Sequence, residues 1–384
     1  MKIDTQSFIT VSQIIERDSK DTSYKFALLR ATIDAISQYD QQIIITSNRV
    51  EMPLGLIIER WLWYYYPLID SDVFLPQKNG EPLSLTKGKN ISFRKYFTSL
   101  IDSYKPYGEF EHFYNDYKKG NLTNEVNHNL LQLVKDLHKT ISTMPMKYIG
   151  KSVSSKEYSI YHLEKHKSKI AGDAVVNTEF LIDKFGTFSV PLDFYLVLKY
   201  LGSFIGGSNT LINNWADFIV KANRQHIVGK EYVLRKLYTH PESYRDVGDV
   251  KSFFKNKSNL HCVWSGSRLN KENINIDHIL PFAHYLNNDI WNLLPALNKV
   301  NGKKRDKIPT PDLIDKRSDA LISYWYSLQQ YFQESFNSEV RVSLVPNVDM
   351  ISDANWGIQM IESLKKKSEF LIDVRGLEPW EHRV

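Results

Sequence analysis

Only one cysteine, Cys262, occurs among the 384 residues. That excludes an internal disulfide and any zinc site built on several thiolates. No run of eighteen or more apolar residues is present, the length a membrane-spanning helix needs. The opening MKIDTQSF is polar and acidic early, unlike a secretory leader, so a cytoplasmic protein with no membrane partner is expected. Internal repeats, low-complexity tracts, phosphate-cradling glycine loops and nucleophilic Ser or Cys signatures are missing too. What remains is an ordinary globular composition, 42% hydrophobic and 24% charged, comfortable for two or three domains.

The net charge of +5 is modest but unevenly placed. Residues 251–310 hold ten Lys or Arg against four acids, a surplus of +6, which leaves −1 for the rest of the chain. Cations concentrated in one segment are the footprint of a phosphate-binding surface, although a solvated lysine-rich helix has the same signature.

Along the chain most patterns are helical. Thr22 or Ser23 can cap a helix with Phe26, Leu29, Ile33 and Ile36 on one face. Ile43–Ile45 is β-prone. Pro53 suits the first turn of a helix running to Tyr66 and stopped by Pro67. Its aromatic run, Trp61 to Tyr66, reads as a buried helix face rather than a base-stacking platform. Residues 77–95 form a glycine-containing loop with Lys78, Lys87, Lys89, Arg94 and Lys95, read equally as a solvated loop or as a clamp on a DNA backbone. A helix from about Asn124 to Thr140 follows.

After Gly150, residues 157–163, Thr178–Ile182 and Thr187–Val190 read as strands of a small sheet. The HLEKH run at 162–166 invites a zinc reading but lacks the acid directly after the first histidine, so a polar strand face is expected. From Pro191 the chain is helical through Leu201, breaks at Gly206-Gly207 and resumes through Trp215. Beyond Pro309, Leu321–Phe336 and Asn355–Phe370 read as helices, with Lys365-Lys366-Lys367 on a solvated face.

The segment His261–Pro309 carries the chemistry. Ile274, Ile276 and Ile279 make a strand-like run holding Asp277 and His278, which should project to opposite sides unless the strand bends. Leu293-Leu294 gives a second strand, and 296–307 a short helix that brings Asn301 back over the first. Histidine is the natural base for a water near neutral pH. A carboxylate and an amide oxygen are hard ligands suited to Mg²⁺. An acid, a histidine and cations in one fold are the needs of metal-assisted phosphodiester hydrolysis.

The phrase IDHILPF…NDIWNLLPALNKVNGKKRDKIP resembles the HNH endonuclease family with its ββα-metal fold. It is most similar to the His-Asn-Asn variant of the RNA-guided CRISPR effector nucleases and of HNH restriction and defence endonucleases. The match covers a small fraction of the chain, within a frame of Pro281, Leu293, Leu294, Lys304 and Pro309. By that resemblance His278 is the general base, Asp277 and Asn301 hold one Mg²⁺ (Mn²⁺ substituting), and Asn292 holds the loop that aims the histidine. Lys299, Lys303, Lys304, Arg305 and Lys307 are the expected nucleic-acid contacts, and His284 is read as packing or polar support. Many relatives bind a structural zinc through two Cys-x-x-Cys pairs. Here those positions read Cys262 and Ser265, then Leu297 and Val300, so no zinc is expected and Cys262 is a buried relic.

The expected fold is α+β: a predominantly helical multidomain chain with a small hairpin-containing middle region and a ββα-metal nuclease module. The expected divisions are 1–150 (helical, recognition or partner contacts), 151–250 (mixed), 251–312 (nuclease) and 313–384 (helical). The expected function is a Mg²⁺-dependent endonuclease on double-stranded DNA, in restriction or anti-phage defence, with a protein partner or as a homo-oligomer. The rivals are an RNase or nickase using the same site, and a DNA-binding or assembly subunit with an inert HNH fold.

Overall fold

The structure is a computed structural model that describes residues 5–16, 20–86, 88–150, 159–164, 169–206, 211–223, 228–240, 247–270, 272–285, 287–350 and 353–382. Lys87, His166, Gly207 and the start of the expected strand at 157–163 lie outside them. The chain forms two compact units, Met1–Pro241 and Glu242–Val384, where the sequence reading places divisions at 150, 250 and 312. The α+β, predominantly helical expectation holds. No helix among the described residues is long and apolar enough to cross a membrane.

The first unit runs α1 (Thr5–Glu16), α2 (Tyr24–Gln38), β1 (Ile44–Ile45), β2 (Arg49–Pro53), α3 (Leu54–Ile69), α4 (Arg94–Tyr104), α5 (Glu109–Lys119), α6 (Asn124–Thr143), β3 (His162–Leu163), α7 (Thr178–Lys184), β4 (Thr187–Pro191), α8 (Leu192–Gly206), α9 (Leu211–Ala222) and α10 (Lys230–Tyr238). α3 is its axis, buried from Leu54 to Leu68. A helix that is apolar all round belongs inside a core. Trp61, Trp63, Tyr65 and Tyr66 are fully enclosed, with Trp63 set edge-on to Tyr114 and Tyr117. Glu59 shares this interior because its carboxylate accepts hydroxyls from Tyr117, Tyr39 and Thr178. Gly55 is required where α3 meets α7, since a Cβ there would lie 2.1 Å from the Leu181 carbonyl oxygen.

Several local expectations are corrected. Ser23 stands at the start of α2, but its hydroxyl bonds Tyr65 at 2.9 Å instead of capping the helix. α3 continues two residues past Pro67, because a proline in the last turn breaks little of the ladder. Thr178–Ile182 is helical, not extended. The Asn177 side chain accepts the Phe180 N–H at 2.8 Å, and that cap outweighs the β-prone composition. The small sheet is antiparallel in the order β1-β2-β4-β3, so it recruits residues 44–53 from far upstream. His162 sits exposed on its edge strand, opposite Ser189. In the basic loop Arg94 is buried and forked onto Glu81, which also accepts the backbone N–H groups of Gln77 and Ile91. Arg94 therefore fastens the loop and is not available to a phosphate.

The second unit contains α11 (Gly248–Lys255), β5 (Ile274–His278), α12 (Phe282–Tyr285), β6 (Leu293–Leu297), α13 (Asn298–Lys304), β7 (Ile308–Pro309), α14 (Pro311–Lys316), α15 (Ser318–Tyr331), α16 (Gln333–Ser343), α17 (Trp356–Glu369) and β8 (Pro379–Trp380). One apolar core runs through it from Val250 to Trp380, so packing is continuous across residue 312. β5 and β6 pair antiparallel, with Asp277 opposite Leu294 and His278 opposite Leu293, and α13 follows at once. β8 returns to pair in parallel with β7. Leu321–Phe336 is two helices, α15 and α16, rather than one. Lys367 is also corrected: it is 2% exposed, with its ammonium 5.5 Å from the Tyr285 ring centre.

Candidate active site

Three of the residues singled out from the sequence meet in one place. Asp277, His278 and Asn301 line a pocket of about 480 Å³, together with Asn275, Phe282, Asn298, Arg305 and Asp306. Neighbours on an ideal strand face opposite sides. Here His278 is the last residue of β5 and the chain turns immediately after it, so both neighbours reach the pocket.

Asn292 makes that turn. It is fully buried; its amide oxygen accepts the Leu280 N–H at 2.8 Å, and its NH₂ donates to the carbonyls of Leu280 (3.1 Å) and Asn287 (3.2 Å). Its own carbonyl accepts the Ile279 N–H at 2.8 Å. The side chain is thus a bracket on the residues directly after His278. The His278 imidazole packs 5.4 Å from the Phe282 ring, and its Nε2 lies 3.0 Å from the Asn288 amide oxygen. With that oxygen accepting, Nε2 carries the proton and Nδ1 the lone pair, an assignment that follows from the network.

Asp277 is buried with a donor on each oxygen. Trp264 Nε1 donates to Oδ2 at 2.6 Å, and Lys304 Nζ lies 3.1 Å from Oδ1. Lys304 also donates to the His278 carbonyl at 2.5 Å and has no exposed surface. The expectation that Lys304 meets nucleic acid is corrected: it lies four residues after Val300, on the face of α13 that enters the core. The other cations differ among themselves. Lys299, Lys303 and Arg305 are exposed, and Lys307 forms an ion pair with Glu378. His284 is 3.6 Å from Asp306, which lines the pocket.

Sequence reasoning missed Trp264, Asn288 and Arg317. The Arg317 guanidinium donates to the Val263 carbonyl at 2.6 Å and to that of Cys262 at 3.3 Å, holding the segment that carries Trp264. Trp380 packs edge-on against the Trp264 indole at 5.3 Å. Such support comes from distant parts of the chain and has no local pattern. Cys262 is fully buried in the core.

The donor set fits a single hard cation. Asn301 is half-exposed, and its side-chain amide has no hydrogen-bond partner among the described residues. Each Asp277 oxygen takes one donor, which leaves a lone-pair site on each. A carboxylate and an amide oxygen are hard donors of the kind a divalent cation takes, beside a pocket with room for the waters such an ion keeps. Among the described residues no group of three or more His, Cys, Asp or Glu gathers to cage a metal with protein ligands alone.

Comparison with known proteins bears on the same segment. Residues 262–310 fit the HNH endonuclease family model, so the hairpin and helix around the pocket are a module of the nuclease class. Residues 4–237, more than half of the chain, fit the model of the domain of unknown function DUF8808, and the chain belongs to that family. No curated protein and no solved structure matches the chain.

Proposed function

We propose that the protein is a metal-dependent endonuclease that hydrolyses DNA phosphodiester bonds with a zinc-free His-Asn-Asn site, in a restriction or anti-phage defence role. The observation that carries this reading is the gathering of Asp277, His278 and Asn301, up to 24 positions apart in sequence, around one pocket. Asp277 and Asn301 would hold Mg²⁺ or Mn²⁺. The ion, when bound, supplies Lewis-acid stabilisation of the phosphorane and of the leaving 3′-oxygen. His278 takes a proton from the attacking water. Asn292 fixes where that imidazole sits, and Phe282 walls one side of it. Lys299 and Lys303, exposed on α13, extend a cationic surface for the backbone on either side of the cut. The first unit supplies target recognition or partner contacts.

Supercoiled plasmid incubated with the purified chain tests the proposal. Cleavage is expected with Mg²⁺ or Mn²⁺ and none in EDTA, while a zinc chelator leaves the melting temperature unchanged. Intact DNA under all metal conditions would favour the inert-fold rival, and stoichiometric zinc whose removal unfolds the protein would overturn the zinc-free reading. Ends mapped on duplex DNA, single-stranded DNA and RNA separate an endonuclease from a nickase or RNase.

The two asparagines should respond differently to metal. A lost ligand is partly offset by mass action, so raising Mg²⁺ or Mn²⁺ should recover much of the activity of Asn301→Ala. Asn292→Ala instead leaves the Leu280 N–H unsatisfied and lets the turn after His278 relax. No added ion restores that geometry. Metal rescue of the Asn292 variant alone, in a cleavage titration, would reverse the two assignments.

A further inference from the structure

The basic run after Asn301 splits into opposite roles, and its backbone shows where the split falls. Lys304 closes α13 with its ammonium buried on Asp277 and on the His278 carbonyl. Arg305, the next residue, has φ +53° and ψ −120°, a conformation that glycine enters freely and a residue with a Cβ rarely adopts. Its N–H is held by the Asn301 carbonyl at 2.9 Å, and its exposed side chain lines the same pocket as Asp277, His278 and Asn301. Among the described residues lining that pocket, Arg305 is the only lysine or arginine. The acids there are Asp277, already compensated by Lys304, and Asp306, faced by His284.

We propose that Arg305 is a catalytic residue that grips the non-bridging oxygens of the scissile phosphodiester, and that its strained backbone is kept because it aims the guanidinium into the pocket. The proposal rests on the nuclease reading and names a group that reading lacks. A phosphodiester carries one negative charge, and the phosphorane formed by water attack carries about one more. A planar guanidinium with two parallel N–H donors matches that pair of oxygens and gains as charge builds on them. Arg305 transfers no proton: the attacking water gives its proton to His278, the bond from phosphorus to the 3′-oxygen breaks, and the departing oxygen is protonated from solvent. If folding alone set residue 305, glycine would serve better, and non-glycine residues held in such regions cluster at functional sites.

The test uses the full chain with Arg305→Gly, Arg305→Ala and Arg305→Lys, each measured for thermal unfolding, DNA affinity and single-turnover cleavage at saturating Mg²⁺. Comparison of the glycine and alanine variants isolates the backbone, and glycine should melt higher than alanine by about 2–6 °C. Both should cut about 10²–10³-fold more slowly than wild type while DNA affinity falls far less. Lysine should restore part of the rate and none of the strain relief. A glycine variant that cuts at the wild-type rate would sink the catalytic role, as would a rate loss fully explained by lost affinity. Equal melting of the glycine and alanine variants would sink the strain argument. A wild-type chain that leaves DNA intact with Mg²⁺ and Mn²⁺ would instead sink the nuclease reading, and the role of Arg305 with it.

Discussion

His278→Ala is expected to slow DNA cleavage by about 10²–10⁴-fold, the usual cost of losing a general base. The fold should survive, because the strand that carries residue 278 is paired through backbone bonds to β6 and the turn after it is held by Asn292 rather than by the imidazole. DNA affinity should change little. Single-turnover rates, with circular dichroism and a binding isotherm on the same preparation, check all three. A variant that cuts within a few-fold of wild type would remove His278 from the chemistry, and the search for a base would move to His284, which faces Asp306 of the pocket lining.

The second large effect concerns stability. Lys304→Met removes a cation with no exposed surface and leaves the Asp277 carboxylate with only the Trp264 indole. Breaking a buried ion pair from one side typically costs about 3–5 kcal/mol, since the remaining charge stays desolvated. The neighbouring Lys303→Met should fall within about 0.5 kcal/mol of wild type, as exposed substitutions do. Urea unfolding of the two variants side by side makes the comparison. DNA binding should report the reverse order, with the salt dependence of affinity shallower for the Lys303 variant. If both lysines proved equally dispensable for stability, the buried pair with Asp277 would not exist in solution.

Much of the site was legible because its elements are short and locally patterned. The alternation of Ile274, Ile276 and Ile279 places β5, Leu293-Leu294 places β6, and the spacing to Asn301 places the helix that closes the pocket. The division of the basic run is written in helical position rather than in charge. Val300 and Lys304 are one helical turn apart on the inward face of α13, and Leu364 and Lys367 repeat the pattern in α17. Thr178–Lys184 misled for a different reason: one cap, Asn177, decided between helix and strand. Trp264 and Asn288 lie within the segment that carries the chemistry, but no spacing marks them as partners of Asp277 and His278, and Arg317 arrives from beyond it.

The pairing of β8 with β7 bears on how this site can be moved between proteins. Trp380 reaches Trp264 from the far end of the second unit, and Arg317 holds the carbonyls just before that indole. A graft of residues 262–310 into another scaffold would carry Asp277, His278, Asn292 and Asn301, yet leave behind the two side chains that seat the tryptophan against Asp277. The exchangeable piece, for recombination or for design, is therefore the whole of Glu242–Val384.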